Sequence, residues 1–353
     1  MGEQRDIVLA GHVCIDITTH LSDLSGIQPG ALVEVGRADW SLGGAISNTG
    51  EALRGLGIPI RIAGAIADDE LGETIRSSLQ TSGVPLTGLQ TSAAAGTSYS
   101  IVLQGDGTDR TFLHYPGANA FFDPLAVDVT AASIVHFGYP SLMAGMVENS
   151  GEPIRALLER AHAAGATTSI DLAVVDPKSS IAALDWAQIF RHVLAEVDIA
   201  SPSLDDITSA LGIDEPFSVE LVERLAASFI DQGVAVVALS AGTHGVFLKT
   251  AGAERLTRGG AILAGLAEKW AAVEFWQPPQ PVENWSSTNG AGDALTAGLL
   301  FSLWSGLGPR AAARTAVASA TLRMSREIVS REALERIINS PYGTTESSPQ
   351  EDA

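Results

Sequence analysis

Short apolar runs that alternate with helical stretches constrain the fold of this chain more than any other feature. The β-branched runs recur at 7–9, 60–63, 134–137, 168–170, 234–239 and 246–248. Between them lie Ala-, Leu-, Glu- and Arg-rich stretches with helical spacing, such as 152–164 and 218–232. This alternation indicates an α/β fold with a mainly parallel sheet covered on both faces. Because ligands bind such folds beyond the carboxyl ends of the strands, we expect the functional residues in the loops that follow them.

Two regions break the alternation and predict a second, smaller sheet. The stretch 16–42 reads as strands and turns without a helix, and 97–115 reads as a hairpin with Gly105-Asp106-Gly107 at its turn. Such excursions predict a discontinuous β lid over the active site. We therefore expect one domain over 1–340 that includes this lid. The polar tail, 341–353, is expected to be disordered.

The charge balance and the cysteine content exclude several classes of protein. The 353 residues include 41 Asp and Glu against 21 Lys and Arg, a formal net charge of −20. So acidic a surface repels nucleic acid and anionic membranes, and an anionic ligand requires a local positive site. The single cysteine, Cys14, excludes an internal disulfide and a Cys-rich zinc site. No apolar run reaches about 18 residues and the N-terminus lacks a signal-peptide layout, which predicts a cytoplasmic protein without a membrane span.

The segment most informative about chemistry is 286–300, SSTNGAGDALTAGLL. Gly290-Ala291-Gly292 stands at the mouth of an Ala- and Leu-rich helix, with Asp293 in its first turn. Glycines let backbone N–H groups approach a ligand and a helix N-terminus favours negative charge, so this arrangement predicts an anion cradle. A carboxylate would repel a bound phosphate, which favours Asp293 as the base that accepts a proton from an attacking hydroxyl. The alternative is an acid that merely complements the helix dipole.

Two N-terminal segments supply candidate contacts to a polyol. Gly43-Gly44 precedes a helix with Asn48 in its first turns. A glycine pair allows close approach of a polyol, and an amide bridges adjacent hydroxyls. Asp16 stands at the end of the first apparent core strand and offers acceptors to sugar hydroxyls. The alternatives are a tight strand-to-helix turn for the glycines and a turn cap for Asp16.

Together these segments resemble the two signatures of the PfkB/ribokinase family of carbohydrate and nucleoside kinases. Gly43-Gly44 with Asn48, followed by AGAIADDELG at 63–72, is similar to the N-terminal signature, and TNGAGDALTAG at 288–298 is similar to the C-terminal one. The resemblance runs from about Ile7 to about Ser325. It implies a ribokinase-like three-layer β/α/β sandwich with a small β lid. It also implies transfer of the γ-phosphoryl group of ATP to a hydroxyl of a small sugar or related polyol, with ATP and Mg²⁺ as cofactors.

The resemblance implies a role for each matching position. It makes Asp293 the catalytic base and the backbone N–H groups of Gly290, Ala291 and Gly292 the anion hole. The positions that match substrate contacts are Asp16, Gly43, Gly44 and Asn48. The positions that match nucleotide contacts are Ser240, Gly242 and Gly245 in LSAGTHGVFL, with Thr288 and Asn289 beside the anion hole. Arg110 in the lid is a further candidate for a substrate contact, the alternative being a solvated arginine.

Two positions depart from the family pattern. An Asp that helps the family to hold a monovalent cation is replaced by Ser287, so the resemblance does not support potassium activation. The N-x-x-E element, which the family links to magnesium and phosphates, stands here as Ser203-Leu204-Asp205-Asp206. This leaves Asp206 as the candidate metal ligand.

Missing motifs and remaining alternatives complete the prediction. The chain has no GxxxxGK[ST] and no GxGxxG after the first strand, which excludes a Walker A loop and disfavours a dinucleotide dehydrogenase. The seven histidines form no tight ligand pair and are expected in core or surface roles. Cys14 is expected to pack on the first core strand, and Trp40 and Phe112 either stack on a nucleobase or pack the lid.

A nucleoside kinase and a catalytically weak sugar-sensing homologue remain alternatives, the latter motivated by Ser203 and Ser287. The expected partners are a sugar or nucleoside and ATP, with a second copy of the chain bound through the edges of the lid.

Overall fold

The computed structural model describes residues 6–21, 24, 26–105, 110–282 and 284–339. The strands in these ranges are β1 (Ile7–Gly11), β2 (Cys14–Leu21), β3 (Asp39–Gly43), β4 (Ile60–Ala67), β5 (Leu89–Ser92), β6 (Tyr99–Gly105), β7 (Thr111–Tyr115), β8 (Ile134–Gly138), β9 (Thr167–Asp171), β10 (Ile199–Ala200), β11 (Val236–Ser240), β12 (Val246–Thr250) and β13 (Glu274–Gln277). The α-helices are α1 (Ala45–Gly55), α2 (Glu70–Thr81), α3 (Ala144–Ala163), α4 (Trp186–Val193), α5 (Leu204–Leu211), α6 (Val219–Asp231), α7 (Ala253–Thr257), α8 (Gly260–Ala264), α9 (Ala267–Trp270), α10 (Ala291–Trp304), α11 (Pro309–Met324) and α12 (Arg331–Ile338). The backbone of α3 leaves the helical region at Glu148–Gly151.

The larger sheet has nine strands in the order β13-β12-β11-β10-β9-β8-β1-β4-β5. The strands from β11 to β5 in this order run parallel, and β12 and β13 are antiparallel to their neighbours at one edge. The mainly parallel sheet predicted from the alternation is therefore confirmed. Because parallel strands present their carboxyl ends along one side, the loops after β1, β8, β9 and β11 meet there.

The core of the larger sheet is divided between its two faces. In β1, Ile7 and Leu9 share a buried cluster with residues of α1, α2, α10 and α11. Their neighbours Val8 and Ala10 share the opposite cluster with residues of α3, α4 and α6. Successive strand residues point to opposite faces, so a sheet buried on both sides needs a continuous apolar run. The result is a three-layer sandwich in which the larger sheet lies between two layers of helices.

Four further strands form a second sheet in the order β3-β2-β6-β7, called the small sheet below. Residues that are paired across neighbouring strands point to the same side of a sheet. The strand register therefore shows which residues of the small sheet share a face. One row is polar and consists of Ser41, Asp16, Ser100 and His114. The next row is apolar, points to the opposite side and consists of Trp40, Ile17, Ile101 and Leu113.

The interpretation of Asp16 and Cys14 as part of the first core strand is wrong. That strand ends at Gly11, where the N–H of His12 donates to Gly138 O at 3.2 Å, and the chain crosses into the small sheet. Asp16 and Cys14 lie in β2. The two strands are hard to separate in the sequence because the residues at the crossing and the first residues of β2 are all buried.

Some sequence predictions lie outside the described residues. The turn predicted at Gly105-Asp106-Gly107 does so in part, and the tail at 341–353 does so completely. No helix among the described residues is long and apolar enough to cross a membrane. The cytoplasmic location stays a prediction.

Asp69 joins the larger sheet to the small one. Its Oδ1 accepts hydrogen bonds from Gly72 N at 2.8 Å and Thr97 Oγ1 at 2.6 Å, and its Oδ2 accepts from Thr97 N at 2.8 Å. The first of these caps α2, and the others hold the chain just before β6. Burial alone would raise the pKa of Asp69, but the hydrogen bonds from Thr97 and Gly72 hold it below the ordinary value.

Asp69→Ala is expected to lower the free energy of unfolding by about 1–2 kcal/mol, because a helix cap and the tie to Thr97 are lost together. Urea denaturation measures this change. Asp68→Ala, which removes the exposed neighbouring carboxylate, is the control and is expected to stay within about 0.5 kcal/mol of the wild type. Equal losses in the two variants would show that the tie does not stabilise the fold.

Candidate active site

A cleft of about 850 Å³ lies where the small sheet meets the loops at the carboxyl ends of the larger sheet. This is the location that the topology of a parallel sheet favours for ligands. The predicted site residues that line it are Asp16, Gly44, Asn48, Arg110, Asp206, Ser240, Gly242, Thr288, Asn289, Gly290 and Gly292. Segments that lie far apart in the sequence are therefore brought to one cleft.

Four predicted site residues do not line this cleft. Gly43 lies behind Asp16, and a Cβ at this position would come within 2.5 Å of the Asp16 carboxyl group. Gly245 lies in the turn between β11 and β12. Ala291 is the first residue of α10, and Asp293 is fully buried behind the cleft wall. Gly43 therefore acts by leaving room for Asp16 rather than by touching a ligand.

Helix α10 begins at the cleft wall. Its N-cap is Gly290, whose φ of 75° lies in the left-handed region and whose Cβ, if present, would lie 2.9 Å from Arg323 Nε. The N–H of Ala291 donates to Thr288 O at 3.1 Å, which removes it from the predicted anion hole. The first N–H groups of a helix have no hydrogen-bond partner within the helix. The predicted anion cradle therefore depends on the N–H groups after Ala291, of which that of Gly292 belongs to a residue that lines the cleft.

The Asp293 carboxylate is surrounded by hydrogen-bond donors. Its Oδ2 accepts from Asn48 Nδ2 at 2.9 Å and from the Tyr139 hydroxyl at 2.7 Å, and its Oδ1 accepts from Thr49 Oγ1 at 3.2 Å. Burial raises the pKa of Asp293 above its ordinary value, although these three donors and Arg323 act in the opposite direction. A group with a raised pKa is a better proton acceptor, provided that it is ionised.

Tyr139 was not singled out by the sequence. It directly follows β8 and adopts φ 64° and ψ 50°, a left-handed conformation that costs a non-glycine residue roughly 1–2 kcal/mol. Its N–H donates to Asp171 O at 3.1 Å and its carbonyl accepts from Leu142 N at 3.0 Å. Burial and then the Asp293 charge raise the pKa of its phenol well above the ordinary value. The sequence feature that could have identified Tyr139 is its position, because it is the first residue after a fully buried parallel strand.

Arg323 of α11 joins the two signature segments and was also missed. Its Nη2 donates to Asn48 Oδ1 at 3.1 Å, and its Nε donates to Asn289 O at 3.1 Å. Its Nη1 pairs with Glu51 at 2.9 Å. Because Arg323 holds the oxygen of Asn48, the amide nitrogen of that residue is turned toward Asp293.

Asp16 connects the small sheet to the loop before α10. It is buried, and its Oδ2 accepts from Asn289 Nδ2 at 3.1 Å. Cys14 donates from Sγ to Asp16 Oδ1 at 3.4 Å. Cys14 also lines the cleft, and burial raises the pKa of its thiol well above the ordinary value. The carboxylate of Asp16 is thus held at the end of the cleft that the small sheet covers.

Two histidines contradict the expectation that all seven have core or surface roles. His12 and His114 both line the cleft, with their Nε2 atoms 3.2 Å apart. Ser100 Oγ lies 3.1 Å from the second ring nitrogen of His114. Burial lowers the pKa of both rings, so both are neutral near pH 7 and one donates a hydrogen bond to the other. Their separation of 102 residues hides this pair in the sequence.

Aromatic residues of the small sheet lie on different sides. Phe112 lines the cleft, and the Arg110 guanidinium lies over its ring at 5.3 Å from the centroid. Arg110 is therefore a cleft residue rather than a freely solvated one. Trp40 belongs to the apolar row on the opposite face and is 59% exposed. Of the two, Phe112 is therefore in position to stack on a base in the cleft, whereas Trp40 points away from it.

Buried carboxylates gather at the other end of the cleft. Asp206 belongs to a capping box at the start of α5, in which its Oδ2 accepts from Ser203 N at 2.8 Å and its own N–H donates to Ser203 Oγ at 3.1 Å. Burial raises the pKa of Asp206 to about 6. Burial and then the charge of Asp206 raise the pKa of Asp171 well above the ordinary value. Neither acid forms an ion pair with a described Lys, Arg or His, and two buried carboxylates of this kind are a donor set that attracts a cation.

This donor set fits Mg²⁺ that arrives with a nucleotide. Among the described residues, no group of three or more His, Cys, Asp or Glu is placed to hold a metal ion by itself. Mg²⁺ commonly takes one or two carboxylates together with substrate phosphates and waters. Asp206 and Asp171 meet that requirement. Ser287 accepts a hydrogen bond from Asn289 N at 3.1 Å, so it orders the loop before α10.

Ser240 and Gly242 line the same end of the cleft as Asp206. Ser240 ends β11 and is paired with Ser203 through an isolated bridge. A single 3₁₀ turn, Gly242–His244, follows it. His244 stacks on Phe217 with ring centroids 3.5 Å apart, which fixes the loop against the start of α6. This loop therefore lies beside the acidic cluster, where a metal-bound nucleotide would be held.

The comparisons with known proteins agree on one family. A family model described as "pfkB family carbohydrate kinase" matches residues 4–332. The ATP-dependent ribose-1-phosphate kinase of Halopiger xanaduensis is 26% identical over 301 residues, which cover 83% of this chain and 92% of that protein. Fructokinase-2 of Solanum lycopersicum is 31% identical over 176 residues, 47% of this chain and 49% of that protein. The structure of Arabidopsis thaliana ribokinase complexed with ribose and ATP superposes with a TM-score of 0.71 at 18% identity and covers 95% of this chain and 99% of that chain.

Asp206→Asn is expected to stabilise the ligand-free protein near neutral pH. The carboxyl group has a pKa of about 6 in the folded chain against an ordinary value of 3.8, so stability is lost as the pH rises through this interval. That shift corresponds to about 3 kcal/mol at pH ~7.5, and most of it disappears at pH ~4.5. The amide avoids this cost and still accepts from Ser203 N.

Urea denaturation of the wild type and Asp206→Asn at both pH values measures the difference. The control is Asp231→Asn, which changes the net charge equally at an exposed position of α6. A gain that is the same at both pH values, or the same in the control, would contradict the buried-carboxylate explanation.

Proposed function

The chain belongs to the pfkB family of carbohydrate kinases, phosphotransferases that act on sugar hydroxyls, and we propose that it transfers the γ-phosphoryl group of ATP to a hydroxyl of a small sugar or related polyol. The observation that carries the proposal is the position of Asp293. A buried carboxylate with a raised pKa lies directly behind a helix N-terminus that opens on the cleft. This arrangement supports the proposal because phosphoryl transfer requires a proton acceptor beside an anion cradle.

The substrate end of the cleft is the part covered by the small sheet. In the proposal, Asp16 accepts hydrogen bonds from sugar hydroxyls and Asn48 fixes the reacting hydroxyl near Asp293. Ser100 and His114 lie beside Asp16 in the same row of the small sheet and offer further polar contacts. Gly43 leaves the space that Asp16 requires, and Gly44 leaves the space that His12 requires, because a Cβ at Gly44 would lie 2.6 Å from His12 O. The small sheet then excludes water from the reaction, as a lid does.

The nucleotide end is formed by Ser240, Gly242, Thr288 and Asn289. Asp206, together with Asp171, would hold Mg²⁺ with the phosphates; the ion neutralises charge on the phosphates and orients them. The N–H groups at the start of α10 stabilise the charge that builds on the transferring phosphoryl group. Because the transition state of phosphoryl transfer is loose, Asp293 acts by orienting the hydroxyl and accepting its proton late.

A nucleoside is the alternative acceptor. Phe112 lines the cleft with part of its ring exposed, and an aromatic face there suits a nucleobase as well as a sugar ring. Ribose, fructose, ribose 1-phosphate and inosine, each incubated with ATP and Mg²⁺, distinguish the two classes. Preferential ADP release with inosine would replace the sugar proposal by the nucleoside one.

Asp293→Asn is expected to lower kcat by roughly 10²- to 10⁴-fold with the best acceptor of this panel, because the proton acceptor is lost. ATP binding is expected to remain nearly unchanged, since the amide has the same shape and lies behind the cradle. ADP release and isothermal titration with ATP measure the two effects. Asp231→Asn, an exposed acid at the end of α6, is the control, and near wild-type turnover of Asp293→Asn would overturn the assignment.

The apolar face of the small sheet supports a homodimer as part of the same proposal. Trp40 and Leu113 are 59% and 53% exposed, and Ile17 and Ile101 lie between them in one row. Ile17 and Ile101 are only partly exposed, so the exposed apolar surface is that of the two outer side chains, and large exposed apolar side chains on one sheet face are typical of an interaction site. A second copy of the chain, bound face to face, would cover the row in both subunits.

Leu113→Asp is expected to convert this dimer to a monomer, because two buried carboxylates would face each other across the symmetric contact. Light scattering at micromolar concentration measures the mass, which should be twice that of the chain in the wild type. Ile328→Asp changes another side chain that is highly exposed, away from the small sheet, and should leave the mass unchanged. A monomeric wild type would remove the dimer from the proposal.

A further inference from the structure

The hydrogen bonds around Asp293 pose a problem for its role as a base. The side chain is 0% exposed, and Oδ2 accepts from both Asn48 and Tyr139. A carboxylate oxygen that already accepts two hydrogen bonds has no free lone pair in good geometry for an incoming hydroxyl. One of the donors therefore has to leave Asp293 before an acceptor can reach Oδ2.

The structure identifies Tyr139 as the donor that leaves. Thr49 is completely buried in α1, and its hydroxyl bonds the other oxygen, Oδ1. Asn48 is fixed by Arg323, which holds its amide oxygen at 3.1 Å. Tyr139 instead lines the cleft, is the only one of the three donors that is partly exposed, and reaches Asp293 from the loop after β8. Its side chain can turn into the cleft without disturbing α1 or α11.

We propose that the Tyr139 hydroxyl occupies the place of the acceptor hydroxyl on Asp293 when no acceptor is bound, and that it thereby suppresses hydrolysis of ATP by water. The inference rests on the proposed kinase function. Binding of the sugar displaces the phenol, and the sugar hydroxyl takes over the contact with Oδ2. The base is thus exposed to a nucleophile only when the correct nucleophile is present.

The reaction that Tyr139 prevents is ordinary ATP hydrolysis. A water oxygen would form a bond to the γ-phosphorus and pass its proton to Asp293. The bond from the γ-phosphorus to the oxygen that bridges to the β-phosphate would break, and ADP and inorganic phosphate would leave. The phenol does not replace water as the nucleophile, because its oxygen is tethered through the ring to the loop after β8 and keeps its proton in the contact with Asp293.

Tyr139→Phe tests the inference because it removes the hydroxyl and keeps the ring. Phosphate release from ATP and Mg²⁺ without any acceptor is expected to rise about tenfold, a part of the contribution that a general base makes. Activity with the best acceptor of the panel of ribose, fructose, ribose 1-phosphate and inosine is expected to fall less than about tenfold. The ratio of hydrolysis to transfer is the readout, since a merely structural loss would lower both rates together.

Two further variants make the result specific. Tyr115→Phe removes a phenol hydroxyl on the opposite face of the small sheet and is expected to leave the ratio unchanged. The double variant Tyr139→Phe/Asp293→Asn is expected to lose the additional hydrolysis, because that hydrolysis depends on the exposed base. Additional hydrolysis that persists in the double variant would overturn the inference, since it would come from a general opening of the cleft.

Failure of the inference and failure of the proposed function have different signatures. Unchanged hydrolysis in a Tyr139→Phe variant that still phosphorylates its acceptor would refute the inference and leave the kinase in place. A wild type that neither binds ATP nor phosphorylates any member of the panel would refute the proposed function itself. Circular dichroism and thermal melting of each variant establish that the compared proteins are folded.

Discussion

A carboxylate buried at the start of a helix is the constraint around which the site of this protein is built. An ionised group without water is costly unless hydrogen bonds replace its hydration. Asp293 obtains those bonds from α1 and from the loop after β8, while α11 supplies the arginine that orients one of the donors. Each of these elements is fixed by the layers of the sandwich. The packing of the apolar layers thus fixes the positions of the hydrogen-bond donors around the Asp293 carboxyl group.

The parts of this arrangement that are local in sequence could be predicted. Near-continuous apolar strands separated by helices specify a sheet covered on both faces, and a glycine-rich helix start followed by an acid indicates a carboxylate close to a helix N-terminus. The end of β1 was misread because the chain passes from one sheet to the other without leaving the core, so every residue from Gly11 to Cys14 is buried. Burial can be predicted from the sequence, but it does not show in which of two adjoining sheets a buried residue lies.

The parts that depend on long-range packing could not be predicted. Tyr139, Arg323 and the pair formed by His12 and His114 act through contacts with residues more than one hundred positions away. No local sequence pattern predicts such contacts, because a Tyr, Arg or His at these positions is equally compatible with a surface or core role. The small sheet shows the intermediate case. Its alternation of polar and apolar rows is visible in the sequence, but the registers of four strands were needed to align Asp16 with His114.

The contacts that join the two signature segments also bear on how the protein is made. Asp16 meets Asn289 across 273 positions, and Asn48 meets Arg323 across 275. Domains form during synthesis from the N-terminus onward, and contacts between distant positions close late because they order a long stretch of chain. A growing chain can therefore complete the early strands of the larger sheet while its acidic residues remain without their partners. The candidate site is complete only when α11 has left the ribosome, so an incompletely translated chain can form the first strands of the fold without the contacts of this site.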